Sequence, residues 1–406
     1  MSDGPLAGVR VTEFTSAWAG PYATCLLGFL GAEIIKVESR QRIDHARLVS
    51  FTTSTDFTNP DQSPVFNSLN LNKQSVCLNL TQPRAVEIAK QLIGKSDVVV
   101  ENMRPGVIGR LGLDYQAARE VKPDIIYLSS SSCGQTGPHR EHVGYAPNFA
   151  SAAGLSYVTG YPDWPPSILS GAIDLRSATT AAFSILAALL CHQRTGEGQY
   201  IDLASQETIV MLNSNALMDY LMNQRVQTRR GNRDVYDRMA PHNCYRCRGD
   251  DSWISIAVAN DREWRALCGA MGKPELAEDE RFADAETRWK HQDELDRIIS
   301  DWSSDKDYYE LMHELQRLGV AATPSLSNEA LSQDPHLEER ETFLQVDHPL
   351  LKKDWVLSPP WKMSGTPPSI RRHAPSLGEH SQRIFRELLQ MSAAEIETLK
   401  QEQVIY

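Results

Sequence analysis

One acidic residue, Asp174, stands in the stretch "SGAIDLRSATTAAFSILAALL" (170–190), directly before a long run of small and apolar residues. As a nucleophile, a carboxylate forms an acyl anhydride and splits one difficult transfer into two easier steps. A helix N-terminus would keep that carboxylate ionised. Aspartate is also a favoured N-cap, and "DLRS" lies just ahead of the apolar helical run. The reciprocal partner of a capping box is missing, because Ser177 stands where Glu or Gln would be needed. A carboxylate engaged in capping is less free to attack. On the residues alone, both roles stand.

Other polar residues gather in loops that follow strand-like runs. "ENMRPGVIGRLG" places Asn102, Arg104 and Arg110 around a Pro-Gly turn after "DVVV", at the carboxyl end where open α/β sheets bind ligands. Arginines there suit phosphate oxygens and equally suit a solvated surface. Asn72 and Lys73 in "SLNLNKQSVCLNL" read as a loop between two strands, with the same two meanings. "SSSSCGQTGPHREHVGYAPNFASAAGL" supplies backbone and hydroxyl donors but no strong base, and His139 and His142 read as surface residues. Gly20-Pro21 marks a strand-to-helix turn whose free N–H groups suit an anion or a carbonyl oxygen. Pro21 there is also ordinary first-turn usage.

Several chemistries are excluded. No GxGxxG dinucleotide fingerprint follows the first strand, and no GxSxG nucleophile elbow occurs. Cys244 and Cys247 form a CxxC with only His242 nearby and no second pair, so a metal site is not expected. The pair precedes a hairpin-like run rather than opening a helix, which tells against redox use. Seven scattered cysteines and no visible secretory signal lead to the expectation of reduced thiols and a cytoplasmic protein. The net charge of −11 disfavours nucleic acid and anionic membranes as partners. No apolar run approaches the ~18 uninterrupted residues of a membrane span.

These residues need a scaffold, and the chain of 406 residues offers one. "GVRVTEF", "EIIKVES", "DVVVEN" and "DIIYLSSSS" read as strands, separated by the helical "PYATCLLGFLGA", "AVEIAKQLIGKS" and "VIGRLGLDYQAAREV". That alternation predicts βαβ units on a parallel sheet, a Rossmann-like α/β fold. "ATTAAFSILAALLCHQRT" predicts a long buried helix. The expected organisation is a large domain over 1–204, an exposed linker over 205–240 and a small α+β domain over 241–325. A return linker and docking tail are expected over 326–406.

"GPLAGVRVTEFTSAWAGPYATCLLGFLGAEIIKVE", "ENMRPGVIGRLGLDY", "CGQTGP", "AIDLRSATTAAFSILAALLCHQRTGEGQYIDLA" and "SLGEHS" together resemble the class III coenzyme A transferases. The group is the CaiB/BaiF type, with formyl-CoA transferase and the α-methylacyl-CoA racemases among its members. The resemblance implies an interlocked dimer with a smaller domain inserted in a Rossmann-like one. It implies a nucleophilic aspartate at Asp174 and coenzyme A contacts at Ala17, Lys73, Asn102, Arg104 and Arg110. Gly134 and Gln135 join these from the "CGQTGP" loop. The substrates implied are an acyl-CoA and a carboxylic acid, with CoA arriving as a thioester and no permanently bound cofactor or metal. Some relatives carry Arg at the position of Gln74 and Lys at that of Ser131.

Racemases of this group carry a "GHD" element whose histidine works with the aspartate. Here the stretch is "GYA", with Tyr145 and Ala146 in those places, and a phenol is a poor general base near neutrality. Transfer is therefore favoured over α-proton exchange. A racemase and a non-catalytic subunit of a heteromer are the alternatives. "GLSYVTGYPDWPPSILSGAIDLRSATTAA" most resembles the branch acting on succinyl-CoA and aromatic or branched dicarboxylates such as benzylsuccinate. In that setting Arg176 would pair a second carboxylate, and Tyr145 and Trp164 would face an aromatic ring. That branch also uses two different subunits, so either a homodimer or a heteromer with a paralogous chain is implied.

Overall fold

Neighbouring residues in the strands part to opposite sides of one sheet. Ile35, Val37, Val99 and Tyr127 enter one apolar cluster, while Ile34, Val98, Val100, Ile126 and Leu128 enter another. A sheet covered on both faces needs such nearly continuous apolar strands. The structure, a computed structural model, describes residues 4–49, 59–234, 236 and 238–406.

In chain order come β1 (Arg10–Phe14), α1 (Ala19–Phe29), β2 (Glu33–Glu38), α2 (His45–Leu48), α3 (Pro64–Leu69), β3 (Lys73–Cys77), α4 (Pro83–Gly94), β4 (Val98–Glu101), α5 (Val107–Arg110), α6 (Tyr115–Val121) and β5 (Ile126–Ser131). Then follow α7 (Ala146–Ala152), α8 (Leu155–Val158), α9 (Ala172–Thr195), β6 (Tyr200–Ala204), α10 (Ser205–Val210) and α11 (Ser214–Asn223). Next are β7 (His242–Arg246), β8 (Trp253–Ala257), α12 (Asp261–Ala270), α13 (Ala285–Lys290), α14 (Gln292–Ser303), α15 (Tyr308–Arg317) and β9 (Ala321–Pro324). The chain ends through α16 (Asn328–Ser332), α17 (Pro335–Glu339), β10 (Phe343–His348), β11 (Lys352–Leu357), α18 (Ser381–Glu387) and α19 (Ala393–Gln401).

Two compact units result, one from Met1–Leu155, Ile168–Asn215 and Pro335–Tyr406, the other from Ser156–Ser167 and Ala216–Asp334. The first carries a six-stranded parallel sheet in the order β3-β2-β1-β4-β5-β6. The order reverses between β1 and β4, and such a switch point opens a crevice at the strands' carboxyl ends. A separate hairpin pairs β10 with β11. In the second unit, β7, β8 and β9 form an antiparallel sheet. Ile254, Ile256, Trp264, Leu267, Ile299 and Leu315 close a core of its own.

α9 is long and apolar enough to cross a membrane by length and composition. Its packing shows a different use. Ala178, Ala181, Ala182, Ile185, Ala188 and Leu189 recur at helical spacing and are buried in the same cluster as Ala23, Leu26 and Leu27 of α1. Small side chains let the two helices approach closely. Burial is confined to that face, for Phe183 and Leu190 on other faces are 72% and 50% exposed. The helix expected to be buried is thus buried along one stripe.

Lys73 requires a correction. It is the first residue of β3 rather than a loop residue, paired in register with Ile34, and its side chain is sealed from solvent. Asn72 just before it has a φ of 65°. Its amide oxygen accepts the N–H groups of Arg371 and Arg372, and its amide nitrogen donates to the carbonyls of Gly28 and Ser369. Its role here is to tie the returning tail to the sheet.

Candidate active site

Loops at the carboxyl ends of β1, β4 and β5 converge. The Asn102 amide, just past β4, clasps the β1 loop from both sides. Its Oδ1 accepts the Ser16 N–H at 2.9 Å, and its Nδ2 donates to the Ser16 carbonyl at 2.8 Å. The clasp needs a glycine at position 20. A Cβ there would lie 2.8 Å from Asn102 Cγ and 2.9 Å from Thr15. Ala17 follows with a φ of 65°, and its N–H donates to Asp44 Oδ1 at 2.8 Å. Trp18 and Ala19 then open α1, where first-turn N–H groups have no partner within the helix.

Arg104 reaches from the β4 loop to the β5 loop, its Nη2 donating to the Glu141 carbonyl at 3.2 Å. Arg110 ends the short α5 with an exposed side chain. On the β5 loop, Gly134 takes a φ of 82°. The N–H of Gln135 donates to both Asp202 oxygens at 3.0 Å. Among the described residues, Gln135 Nε2 is buried with no hydrogen-bond partner. It lines a cavity of about 290 Å³ together with Gly106, Gly109, Tyr115, Tyr127 and Ser129.

Asp174 is the third residue of α9, and Gly171, with a φ of 25°, occupies the cap position. The N-cap reading of Asp174 is therefore corrected. Ile173 beside it is buried with Ala146 and Ala150 of α7 and Ile209 of α10, which fixes the first turn of the helix. Among the described residues no hydrogen bond or ion pair engages the Asp174 carboxylate. Burial pushes its carboxyl above the usual range. Its lone pairs stay uncommitted, and the positive end of the helix dipole at the first turn favours its anion. Arg176, two residues further along the helix, is exposed. Tyr145 is 77% exposed, and its backbone N–H donates to Asn148 Oδ1.

The structure thus brings Ala17, Asn102, Arg104 and Gln135 into one set of linked loops and removes Lys73 from any solvent-facing role. Two features escaped the sequence reading. Glu101, last in β4, is 1% exposed. Burial pushes its carboxyl up to about 7, against opposing contacts from Ser129 and the Met103 N–H. Beneath the β1 loop, Glu13, Lys36 and Lys73 are fully buried beside Asp44. The signal was available: charged residues in the middle of buried strands ("VTEF", "IIKVE") demand partners.

Residues 6–381 match the family described as CoA-transferase family III. The chain belongs to CoA-transferase family III. It is an acyl-CoA:carboxylate CoA transferase, and CoA thioesters are substrates of that reaction. The chain is 32% identical to the succinyl-CoA–L-malate CoA-transferase beta subunit of Chloroflexus aurantiacus, covering 99% of this chain and 98% of that one. It is also 32% identical to the succinate–glutarate CoA-transferase of Agrobacterium fabrum, over 95% and 96% of the two chains. A crystal structure of a CaiB/BaiF family protein from Brucella suis superimposes with a TM-score of 0.84 at 29% identity, covering 95% of this chain and 99% of that one. Membership of this family accords with the six-stranded parallel sheet and the converging loops.

Proposed function

We propose that this family III transferase moves CoA from succinyl-CoA to a second dicarboxylic acid, with Asp174 as the nucleophile. The observation that carries the reading is the Asp174 carboxylate itself, held in the first turn of a packed helix and engaged by none of the described residues. A carboxylate tied into a cap would have to break those bonds to attack.

The steps balance without a proton or redox partner. An Asp174 oxygen attacks the thioester carbonyl, the C–S bond breaks, and an aspartyl anhydride and CoA thiolate form. The thiolate attacks the aspartyl carbonyl, giving an aspartyl-CoA thioester and releasing succinate. The acceptor carboxylate attacks that thioester, forming a second anhydride and again freeing the thiolate. The thiolate then attacks the acceptor's carbonyl carbon, which yields the new acyl-CoA and restores Asp174. Each tetrahedral oxyanion needs donors. The N–H groups of Ala17 and Gln135 are taken by Asp44 and Asp202. Oxyanion stabilisation therefore falls to the N–H groups of Trp18 and Ala19 and of the loop up to Gly137. Asn102, Arg104 and Arg110 contact the CoA moiety.

The relatives' names support a dicarboxylate acceptor, being those of a malate and a glutarate transferase. Arg176, exposed near the nucleophile, is proposed to pair the acceptor's distal carboxylate, with Tyr145 lining the acceptor's flank. Benzylsuccinate stays in the acceptor panel as the aromatic member. The working unit is proposed to be an interlocked homodimer or a heteromer with a paralogous chain.

The test is trapping with hydroxylamine during turnover, with succinyl-CoA and a panel of acids, followed by peptide mass spectrometry. An acyl-dependent modification on Asp174 is expected, together with more than about 1,000-fold loss of kcat in Asp174→Ala. Saturating donor that leaves Asp174 unmodified would overturn the covalent route. Exchange of the α-proton for deuterium with no acceptor present would point instead to racemisation.

A further inference from the structure

Four charged side chains lie beneath the β1–α1 turn: Glu13 on β1, Lys36 on β2, Lys73 on β3 and Asp44 ahead of α2. Two are cationic and two anionic, so the group is neutral overall. Lys36 Nζ donates to the Thr15 carbonyl at 2.7 Å and pairs with Asp44 Oδ2 at 3.0 Å. Asp44 Oδ1 accepts the Ala17 N–H at 2.8 Å. Lys73 Nζ donates to the Pro21 carbonyl at 2.7 Å and to Glu13 Oε1 at 2.9 Å. The charges therefore hold the backbone at Thr15, Ala17 and Pro21, on both sides of Trp18 and Ala19.

Buried ion pairs are a weak route to stability, and apolar residues of similar size often serve a core as well. What apolar residues cannot do is hold backbone carbonyl and N–H groups in a fixed direction. The need is real here, because Ala17 adopts a left-handed backbone that disfavours a non-glycine residue. Burial would raise the Asp44 carboxyl, but the Lys36 ammonium and the Ala17 and Ala46 N–H groups outweigh it and hold it below the usual range.

We propose that Lys36 and Asp44 are positioning residues of the transferase, holding the Thr15–Ala17 turn so that the Trp18 and Ala19 N–H groups face the reacting thioester carbonyl. The proposal rests on the Asp174 mechanism above. Two variants test it, Asp44→Asn and the charge-free double variant Lys36→Met with Asp44→Leu, in which Glu13 keeps Lys73 as its partner. The double variant should fold with a Tm within a few degrees of the unaltered chain. Loss of donors aimed only at the transition state lowers kcat more than KM. The expected result is a fall in kcat of about 10- to 100-fold, with the KM for acyl-CoA changed less than about threefold. A double variant with unaltered kcat overturns the proposal, as does activity lost only in proportion to the unfolded fraction. If neither variant folds, the pair serves folding rather than positioning, and the proposal fails. Hydroxylamine trapping on the unaltered chain runs in parallel. Its failure would count against the Asp174 mechanism, whatever the variants show.

Discussion

At the scale of single residues, Asp174 and Glu101 are both carboxyl groups that burial lifts above the usual range, and they predict different things. Asp174 attacks only when ionised, so kcat should rise with pH through its raised pKa and then level off. The acid limb should therefore lie at higher pH than for an exposed aspartate, as steady-state rates across an acidic pH series would show. Glu101 matters for stability. Its carboxyl titrates near 4.5 when unfolded and at about 7 when folded. Between those values the native state holds the extra proton, so stability falls as pH rises through that window. The loss at neutral pH is on the order of 3 kcal/mol. Glu101→Gln should flatten this slope in denaturant titrations at pH 4.5 and pH 8. Residues of this kind were only partly legible beforehand. Asp174 could be singled out because one acidic residue precedes an apolar run, but whether it caps the helix depends on which residue starts it. Lys73 was misread because "NLNKQS" carries polar residues that in fact lie under the returning tail, a long-range contact that leaves no local pattern.

At the scale of elements, the β1 and β4 loops act as one piece because the Asn102 amide and the missing Cβ of Gly20 let them touch. Gly20→Ala would force that Cβ against Asn102 and Thr15. A cost of about 1–3 kcal/mol is expected for such overpacking, together with a fall in kcat/KM that Asn102 variants should share. Urea melts and steady-state rates on the same preparations separate the two effects. The strands and helices of this region could be read from sequence period alone, since four apolar runs alternate with helical patterns. The stripe on α9 was harder to read. Alanines recur along much of the helix, so composition marks the whole segment as apolar, and only packing against α1 distinguishes the buried side.

At the scale of the whole molecule, α11 has its pattern turned outward. Leu217, Met218, Leu221 and Met222 are 43–75% exposed, while Asp219 is buried and accepts bonds from Asn223, Arg225 and Gln227. A face of that composition calls for cover, in keeping with the proposed interlocked dimer. Sedimentation at micromolar concentration should give twice the 45.4 kDa chain mass, whereas a persistent monomer would rule out a homodimer. The C-terminal segment has a further consequence. Phe385, Leu399, Val404 and Ile405 complete the cluster against β2, β3, β4 and β5, and Ser381 Oγ accepts the Cys77 N–H across 304 residues of chain. At a synthesis rate of ~5–20 residues per second, the early strands must wait roughly 15–60 s on the ribosome for those partners. Until then that face is covered only in part, by α4 and α6, so newly made chains should be among the clients of the cell's holding chaperones, and a stop codon before 380 should yield aggregation rather than a shorter enzyme.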